Sequence, residues 1–178
     1  VGGIPKMYAS GLKPGGQFDG FVRLDRNENA YGPSPKVAAA IRSAASEVNR
    51  YPFRKYHELT EQIATVHRVK PEHVLLGCGS TEILRVAACA FLGTGKQLIQ
   101  AVPTFEDIEG YAKALGAEVV SVPLAPGFVH DTEQMLARVS PSNGLVYICN
   151  PNNPTATITP RNDLARLIAG LPAGTMVL

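Results

Sequence analysis

Cysteine is scarce in this 178-residue chain. Its three cysteines, Cys78, Cys89 and Cys149, are odd in number, widely spaced and never arranged as CxxC. That argues against a disulfide framework and for a reducing compartment, the cytoplasm. Histidine is equally sparse: His57, His67, His73 and His130 form no HExxH and no His/Cys cluster, so no metal site is expected. No apolar run approaches the roughly 18 residues that a membrane span needs. The opening Val1-Gly2-Gly3-Ile4-Pro5-Lys6 lacks both an initiator Met and the apolar stretch of a signal peptide. Charge of one sign is also lacking, with Lys+Arg 17 against Asp+Glu 15 and a formal net charge of +2. That balance gives no support to a nucleic-acid or membrane partner.

What is present is an ordinary globular composition, with 45% hydrophobic and 18% charged residues. A chain of this length can bury about 70% of the surface it exposes when unfolded. Residues 1 to about 33 are rich in Gly and Pro and read as an extended arm. Ser34-Pro35 has the form of an N-cap followed by Pro at the first helical position, so a helix is expected through Val48. A second helix is expected from about Tyr56 to His67, with Leu59, Ile63 and Val66 on one side. Strands and helices then alternate. Strands are expected at His73–Leu76, Gln97–Val102, Glu118–Val122, Leu145–Cys149 and Thr175–Leu178. Helices are expected at Ser80–Phe91, Phe105–Leu115, after the capping box Asp131-Thr132-Glu133-Gln134, and after Thr159-Pro160. This alternation predicts an α/β fold with a mostly parallel sheet flanked by helices. The last apolar run has no turn or cap after it, so the expectation is a portion of a longer chain.

Several loops carry polar groups that could serve chemistry. Gly77-Cys78-Gly79-Ser80-Thr81-Glu82 lies between a predicted strand and a predicted helix. Backbone amides at a helix start, with the Ser80 and Thr81 hydroxyls, suit an anion such as phosphate. The same glycines equally suit a plain tight turn. Glu82 stands where a dinucleotide fingerprint needs Gly, and no Gly-Lys-Ser/Thr follows, so neither nucleotide motif is present. Asn150-Pro151-Asn152-Asn153-Pro154-Thr155 follows another predicted strand, at the end of the sheet where ligands bind. It can be read as a set of neutral hydrogen-bonding groups or as a Pro-rich turn. Phe105, after Pro103-Thr104, could stack on a planar ring or belong to the core.

In combination these motifs resemble the fold-type I, pyridoxal-phosphate-dependent aminotransferases, and most closely the histidinol-phosphate aminotransferase group. The resemblance runs from about Leu24 to Leu178. It rests on Leu24-Asp25-Arg26-Asn27-Glu28-Asn29, Gly32-Pro33-Ser34-Pro35, Tyr51-Pro52, the Gly77–Glu82 loop, Pro103-Thr104-Phe105 and the Asn150–Thr155 loop. It implies that Gly79, Ser80 and Thr81 hold the cofactor phosphate. Phe105, where the family often has Tyr, would stack on the pyridine ring, and Asn153 would bond its phenolic oxygen. Tyr51 would reach the phosphate of a neighbouring subunit's cofactor in a homodimer. Asn29 and Tyr31 would lie near the substrate entrance. Residues 1–48 would be the N-terminal arm and part of a small domain, and residues 49–178 the first portion of the large cofactor-binding domain.

The implied activity is movement of an amino group between an amino acid or amino phosphate ester and a 2-oxo acid, in amino acid biosynthesis. The family's cofactor-bonding Lys, the Asp facing the pyridine nitrogen and the Arg that binds the substrate carboxylate would all fall beyond Leu178. No catalytic residue is therefore assigned within the chain. Ala156 stands where the family usually has Gly, and a positive-φ backbone there would be strained. The rival readings are a threonine-phosphate decarboxylase-like enzyme, a non-catalytic phosphate-binding fragment and an unrelated nucleotide-binding domain.

Overall fold

A computed structural model describes residues 26–29 and 31–178. The expected N-terminal arm, with Leu24-Asp25, lies outside the described residues up to Asp25. The chain divides into two compact units, one ending at Arg54 and one running Lys55–Leu178.

The first unit contains a turn at 29–32 and helix α1 (Pro35–Ala44), which continues as a 3-10 turn over Ala45–Glu47. Ser34 caps α1, its Oγ accepting from the Val37 amide at 3.3 Å. No residue of α1 is buried, and Val37 and Ile41 on its apolar face are exposed. Helix α2 (Phe53–His67) starts at the unit boundary and buries only Ala64.

The second unit is built on a four-stranded sheet in the order β2-β1-β3-β4. The strands are β1 (Gln97–Val102), β2 (Glu118–Pro123), β3 (Asn143–Tyr147) and β4 (Met176–Val177), and every pairing is parallel. Leu98 of the central strand pairs with Val119 on one side and Leu145 on the other. Helices α3 (Gly79–Phe91) and α4 (Asp107–Ala114) contribute to one core cluster, with Leu98, Leu145 and Tyr147 from the sheet. Helices α5 (Thr132–Ala137) and α6 (Arg161–Gly170) supply Met135 and Leu167 to a second cluster, with Ile99, Val122 and Val146. The two clusters follow from the period of two along a strand, which sends Leu98 and Ile99 to opposite faces. Each such side chain stabilises the fold by about 1.5–3 kcal/mol through burial. A central strand covered on both faces reads as a continuous buried run, as β1 does.

Most expected elements form, with differences at their edges. His73–Leu76 is not a strand. Pro71–His73 makes a 3-10 turn, and Val74 then enters extended backbone with φ −114° and ψ 119°. Leu75 is 68% exposed, and no strand among the described residues pairs with it. Extended conformation alone makes no ladder; here the Leu76 carbonyl accepts from the Tyr56 hydroxyl instead, at 3.2 Å. At the end of α3 Phe91 is exposed, and the next residue, Leu92, is buried. The helix ends at Phe91, and the extended turn at Leu92 swings that side chain into the core. Helix α4 starts at Asp107 rather than Phe105, because Glu106 is its N-cap. Strand β3 stops at Tyr147, although Ile148 still donates to the Leu178 carbonyl at 2.8 Å. The N-cap half of the expected capping box forms: Asp131 Oδ1 accepts from the Gln134 amide at 3.0 Å, while the Gln134 side chain makes no return bond to the Asp131 amide.

Candidate functional site

Parallel strands all point one way, so the loops after β1 and β3 leave the same edge of the sheet. The start of α3 is tied to that edge. Thr81 Oγ1 donates to Asp107 Oδ2 at 2.7 Å, and Asp107 is the first residue of α4, reached directly from the β1 loop. Three loops therefore converge: Gly77–Thr81, Pro103–Glu106 and Asn150–Thr159.

Glycine allows the first of these to form. Gly79 has φ +78°, and its amide donates back to the Gly77 carbonyl at 2.9 Å. Glu82 turns back to accept from the Cys78 amide at 2.5 Å. The Ser80 and Thr81 amides occupy the second and third helical positions, where no intrahelical acceptor exists. They face outward with the positive end of the helix dipole. All three of Gly79, Ser80 and Thr81 are exposed.

The Asn150–Thr159 loop is bound from within. Asn152 is 2% exposed. Its Oδ1 accepts from Thr104 Oγ1 at 2.7 Å, and its Nδ2 donates to the Pro103 carbonyl at 3.1 Å and to Thr155 Oγ1 at 2.8 Å. Thr155 Oγ1 lies 2.7 Å from Thr157 Oγ1, which donates to the Phe128 carbonyl at 2.5 Å. Asn150 Oδ1 accepts from the Thr159 amide at 2.9 Å, while Asn150 Nδ2 donates to the Thr159 carbonyl at 3.4 Å. Buried Thr159 in turn meets His130, whose Nδ1 lies 2.8 Å from Thr159 Oγ1. His130 is 4% exposed, and burial pushes its pKa below the ordinary histidine value. Burial also pushes the Tyr147 hydroxyl up, with smaller contributions from Cys149 and Asp107.

Asn153, beside this network, is half-buried, and its carboxamide makes no hydrogen bond to the described residues. Phe105 is half-buried against the α3/α4 core cluster, so it is part of the core and of the loop edge at once. The structure thus brings Gly79, Ser80, Thr81, Phe105 and Asn153 to one edge. Asn29, Tyr31 and Tyr51 belong to the other unit. There, Asn29 Oδ1 accepts from the Tyr31 amide at 3.0 Å, which commits that carboxamide to the turn. Tyr31 is 98% exposed; Tyr51, 86% exposed, stacks on Phe53 with ring centroids 5.6 Å apart. Among the described residues, no group of His, Cys, Asp and Glu is placed to hold a metal ion.

Residues 19–178 match the family described as aminotransferase class I and II. The chain belongs to that family. It is 37% identical over 172 residues to a histidinol-phosphate aminotransferase of Dinoroseobacter shibae, covering 97% of this chain and 47% of that one. It is 35% identical to an aromatic amino acid aminotransferase of Rhodococcus jostii, covering 92% of this chain and 46% of that one. A crystal structure of histidinol-phosphate aminotransferase from Sinorhizobium meliloti, in complex with pyridoxal-5'-phosphate, superposes with a TM-score of 0.79. It is 28% identical and is matched over 85% of this chain and 41% of that one. The chain spans about half the length of the curated relatives it matches.

This edge of the sheet fits a phosphate-bearing planar group in its chemistry. Outward amides and the Ser80 hydroxyl suit the phosphate, an aromatic face at Phe105 suits a ring, and the unengaged Asn153 carboxamide suits a polar substituent. One expected donor is otherwise occupied, since the Thr81 hydroxyl proton goes to Asp107. Ala156 has a positive φ, the backbone conformation that would strain a non-glycine residue there. Its φ is +57°, and its amide closes the loop on the Asn152 carbonyl at 2.7 Å.

Sequence reading missed Asn152, Thr104, Thr159, His130 and Asp107. Asn152 and Thr155 are three residues apart, a spacing at which Asn side chains often bond their own loop. The Asn152–Thr104 and His130–Thr159 contacts span long separations in the chain and left no local signal.

Proposed function

We propose that this chain is the N-terminal portion of a pyridoxal-phosphate-dependent aminotransferase of the histidinol-phosphate type. The intact enzyme moves an amino group between an amino acid or amino phosphate ester and a 2-oxo acid, within amino acid biosynthesis. The observation that carries this reading is the convergence of a helix start, an aromatic and a free carboxamide at one sheet edge, in a chain of this family. Gly79, Ser80 and Thr81 would hold the phosphate through backbone amides and the Ser80 hydroxyl. Phe105 would lie on one face of the ring, and Asn153 would donate to its phenolic oxygen and favour the phenolate. When bound, pyridoxal phosphate supplies an electron sink for the substrate's amino carbon. The chain's own residues bind and orient that group and set the charge on one of its oxygens.

Residues 49–178 are the first portion of the large domain, and residues 1–48 the arm and part of the small domain. Tyr51 would reach the phosphate of a partner subunit in a homodimer, and Asn29 and Tyr31 would stand near the substrate entrance. No described helix is long and apolar enough to cross a membrane. The free thiols of Cys78, Cys89 and Cys149 suit a reducing cytoplasm. The aminotransferase names of the relatives favour amino transfer over decarboxylation of an amino phosphate.

The test uses the full-length protein. Purified with pyridoxal phosphate, it should show the cofactor's visible absorption and convert a 2-oxo acid to its amino acid with histidinol phosphate as donor. Carbon dioxide release from threonine phosphate without amino transfer would replace this reading with the decarboxylase. No uptake of the cofactor would remove both.

A further inference from the structure

We infer that Asn152, which would not itself touch the cofactor, is a positioning residue that fixes the slot between Phe105 and Asn153. The inference rests on the cofactor reading above. Its carboxamide has one acceptor and two donors to place, and the structure fills all three: from Thr104 Oγ1, to the Pro103 carbonyl and to Thr155 Oγ1. Thr104 immediately precedes Phe105, and Asn152 immediately precedes Asn153. One buried side chain therefore joins the neighbours of the two groups proposed to meet the ring.

The ladder cannot do this work. Pairing between β1 and β3 ends at Gln100 and Tyr147, so beyond that point no strand hydrogen bond holds the two loops at a set distance. Nor is the Asn152 end free to follow Thr104 if the link breaks. The Thr155–Thr157–Phe128 line and the Asn150–Thr159–His130 line anchor it on the far side. Loss of the link should move the β1 loop against a fixed Asn loop and change the slot. Misplacement of a binding group by about 1 Å can cost a hundredfold.

The decisive variant is Thr104→Val in the full-length protein. It keeps the shape of the side chain and removes only the hydroxyl that Asn152 accepts from. Three quantities are read: the Kd for pyridoxal phosphate added to cofactor-free protein, the pH midpoint of the bound cofactor's visible band, and the thermal midpoint. The expected result is a Kd raised about tenfold to a hundredfold with a displaced pH midpoint, both restored by Thr104→Ser. Asn152→Asp, which preserves size but loses the two donors, carries the same expectation and stands in if Thr104→Val does not fold. A lowered thermal midpoint with unchanged Kd and pH midpoint would make Asn152 purely structural and overturn the inference. A wild-type protein that takes up no pyridoxal phosphate would overturn the underlying reading instead, and the two failures are distinct.

Discussion

The loop at Gly77–Thr81 and the loop at Asn150–Thr159 stand at one sheet edge and are built in opposite ways. The first is exposed, turns on glycine at φ +78° and leaves helix-start amides facing outward. The second is laced by side chains, with Asn152, Thr159 and His130 all buried. Its non-glycine Ala156 sits at φ +57°, with its amide bonded to the Asn152 carbonyl. The contrast fits two kinds of recognition. A phosphate is met by amides whose direction the helix start already fixes, so little further support is needed. A neutral carboxamide has no such geometric guarantee, and must be held by its neighbours before it can discriminate an oxygen.

The sharpest way to break this contrast is to cut the second loop. Asn152→Ala strands the buried Thr104 hydroxyl, and a buried unpaired group costs about 1–3 kcal/mol; the carbonyl of exposed Pro103 can turn to water. The expected loss is about 1–3 kcal/mol in urea unfolding. Ser80→Ala, on the exposed loop, should stay within about 0.5 kcal/mol. Equal losses would mean that both loops are equally supported.

Acid should act on the second loop through His130. The folded-state pKa of His130 is lowered by burial, so on acidification the unfolded chain takes up the proton first. The stability held by neutral His130 is complete above the unfolded value of about 6.5. It falls as pH drops below that value and levels off once the folded value is passed. At its steepest the loss is about 1.4 kcal/mol per pH unit. His130→Gln, which keeps a partner for Thr159, should flatten the dependence of unfolding midpoints on pH below 6.5. An unchanged slope would show that the His130 ring takes up its proton as readily folded as unfolded.

The sheet was legible because its signal is local. The runs at Gln97–Val102 and Glu118–Val122 form strands where the apolar pattern places them, and Ser34 and Asp131 cap the helices they precede. His73–Leu76 carries the same apolar signal but pairs with no strand among the described residues, because a strand needs a partner that its own residues do not encode. The site divides in the same way. Gly79–Thr81, Phe105 and Asn153 come from motifs read in order along the chain. Asn152 could be seen only as a member of an Asn-Pro run, since its partner Thr104 is 48 residues away. Sequence shows which groups are on offer at the edge; it does not show which of two adjacent asparagines is consumed in holding the other.

Backbone strain gives a smaller and mirrored comparison. A side chain in the left-handed region costs about 1–2 kcal/mol, offset in part by about 0.4–1 kcal/mol from the stiffer unfolded chain. Gly79→Ala meets no atom within 4 Å of the new methyl, so its expected cost of about 1 kcal/mol is purely conformational. Ala156→Gly should return a similar gain of about 0.5–1 kcal/mol. Opposite shifts in thermal midpoint would confirm the pair. A loss at Ala156→Gly would mean that the methyl contributes packing that outweighs its strain.

The smallest effect belongs to the contact that joins the open loop to α4. Thr81 and Asp107 share a 2.7 Å hydrogen bond at the exposed starts of two helices. Water competes there for both groups, so a double-mutant cycle with Thr81→Val and Asp107→Asn should give a coupling of about 0.5 kcal/mol. The cofactor readout separates the two roles that this bond can play. With Asp107→Asn the Thr81 hydroxyl loses a charged acceptor, and one negative charge leaves the vicinity of the Gly77–Thr81 loop. Inorganic phosphate and pyridoxal phosphate should then compete more strongly for the site while stability scarcely moves. A large stability coupling with unaltered phosphate competition would make the first loop as internally braced as the second, and the contrast between them would fail.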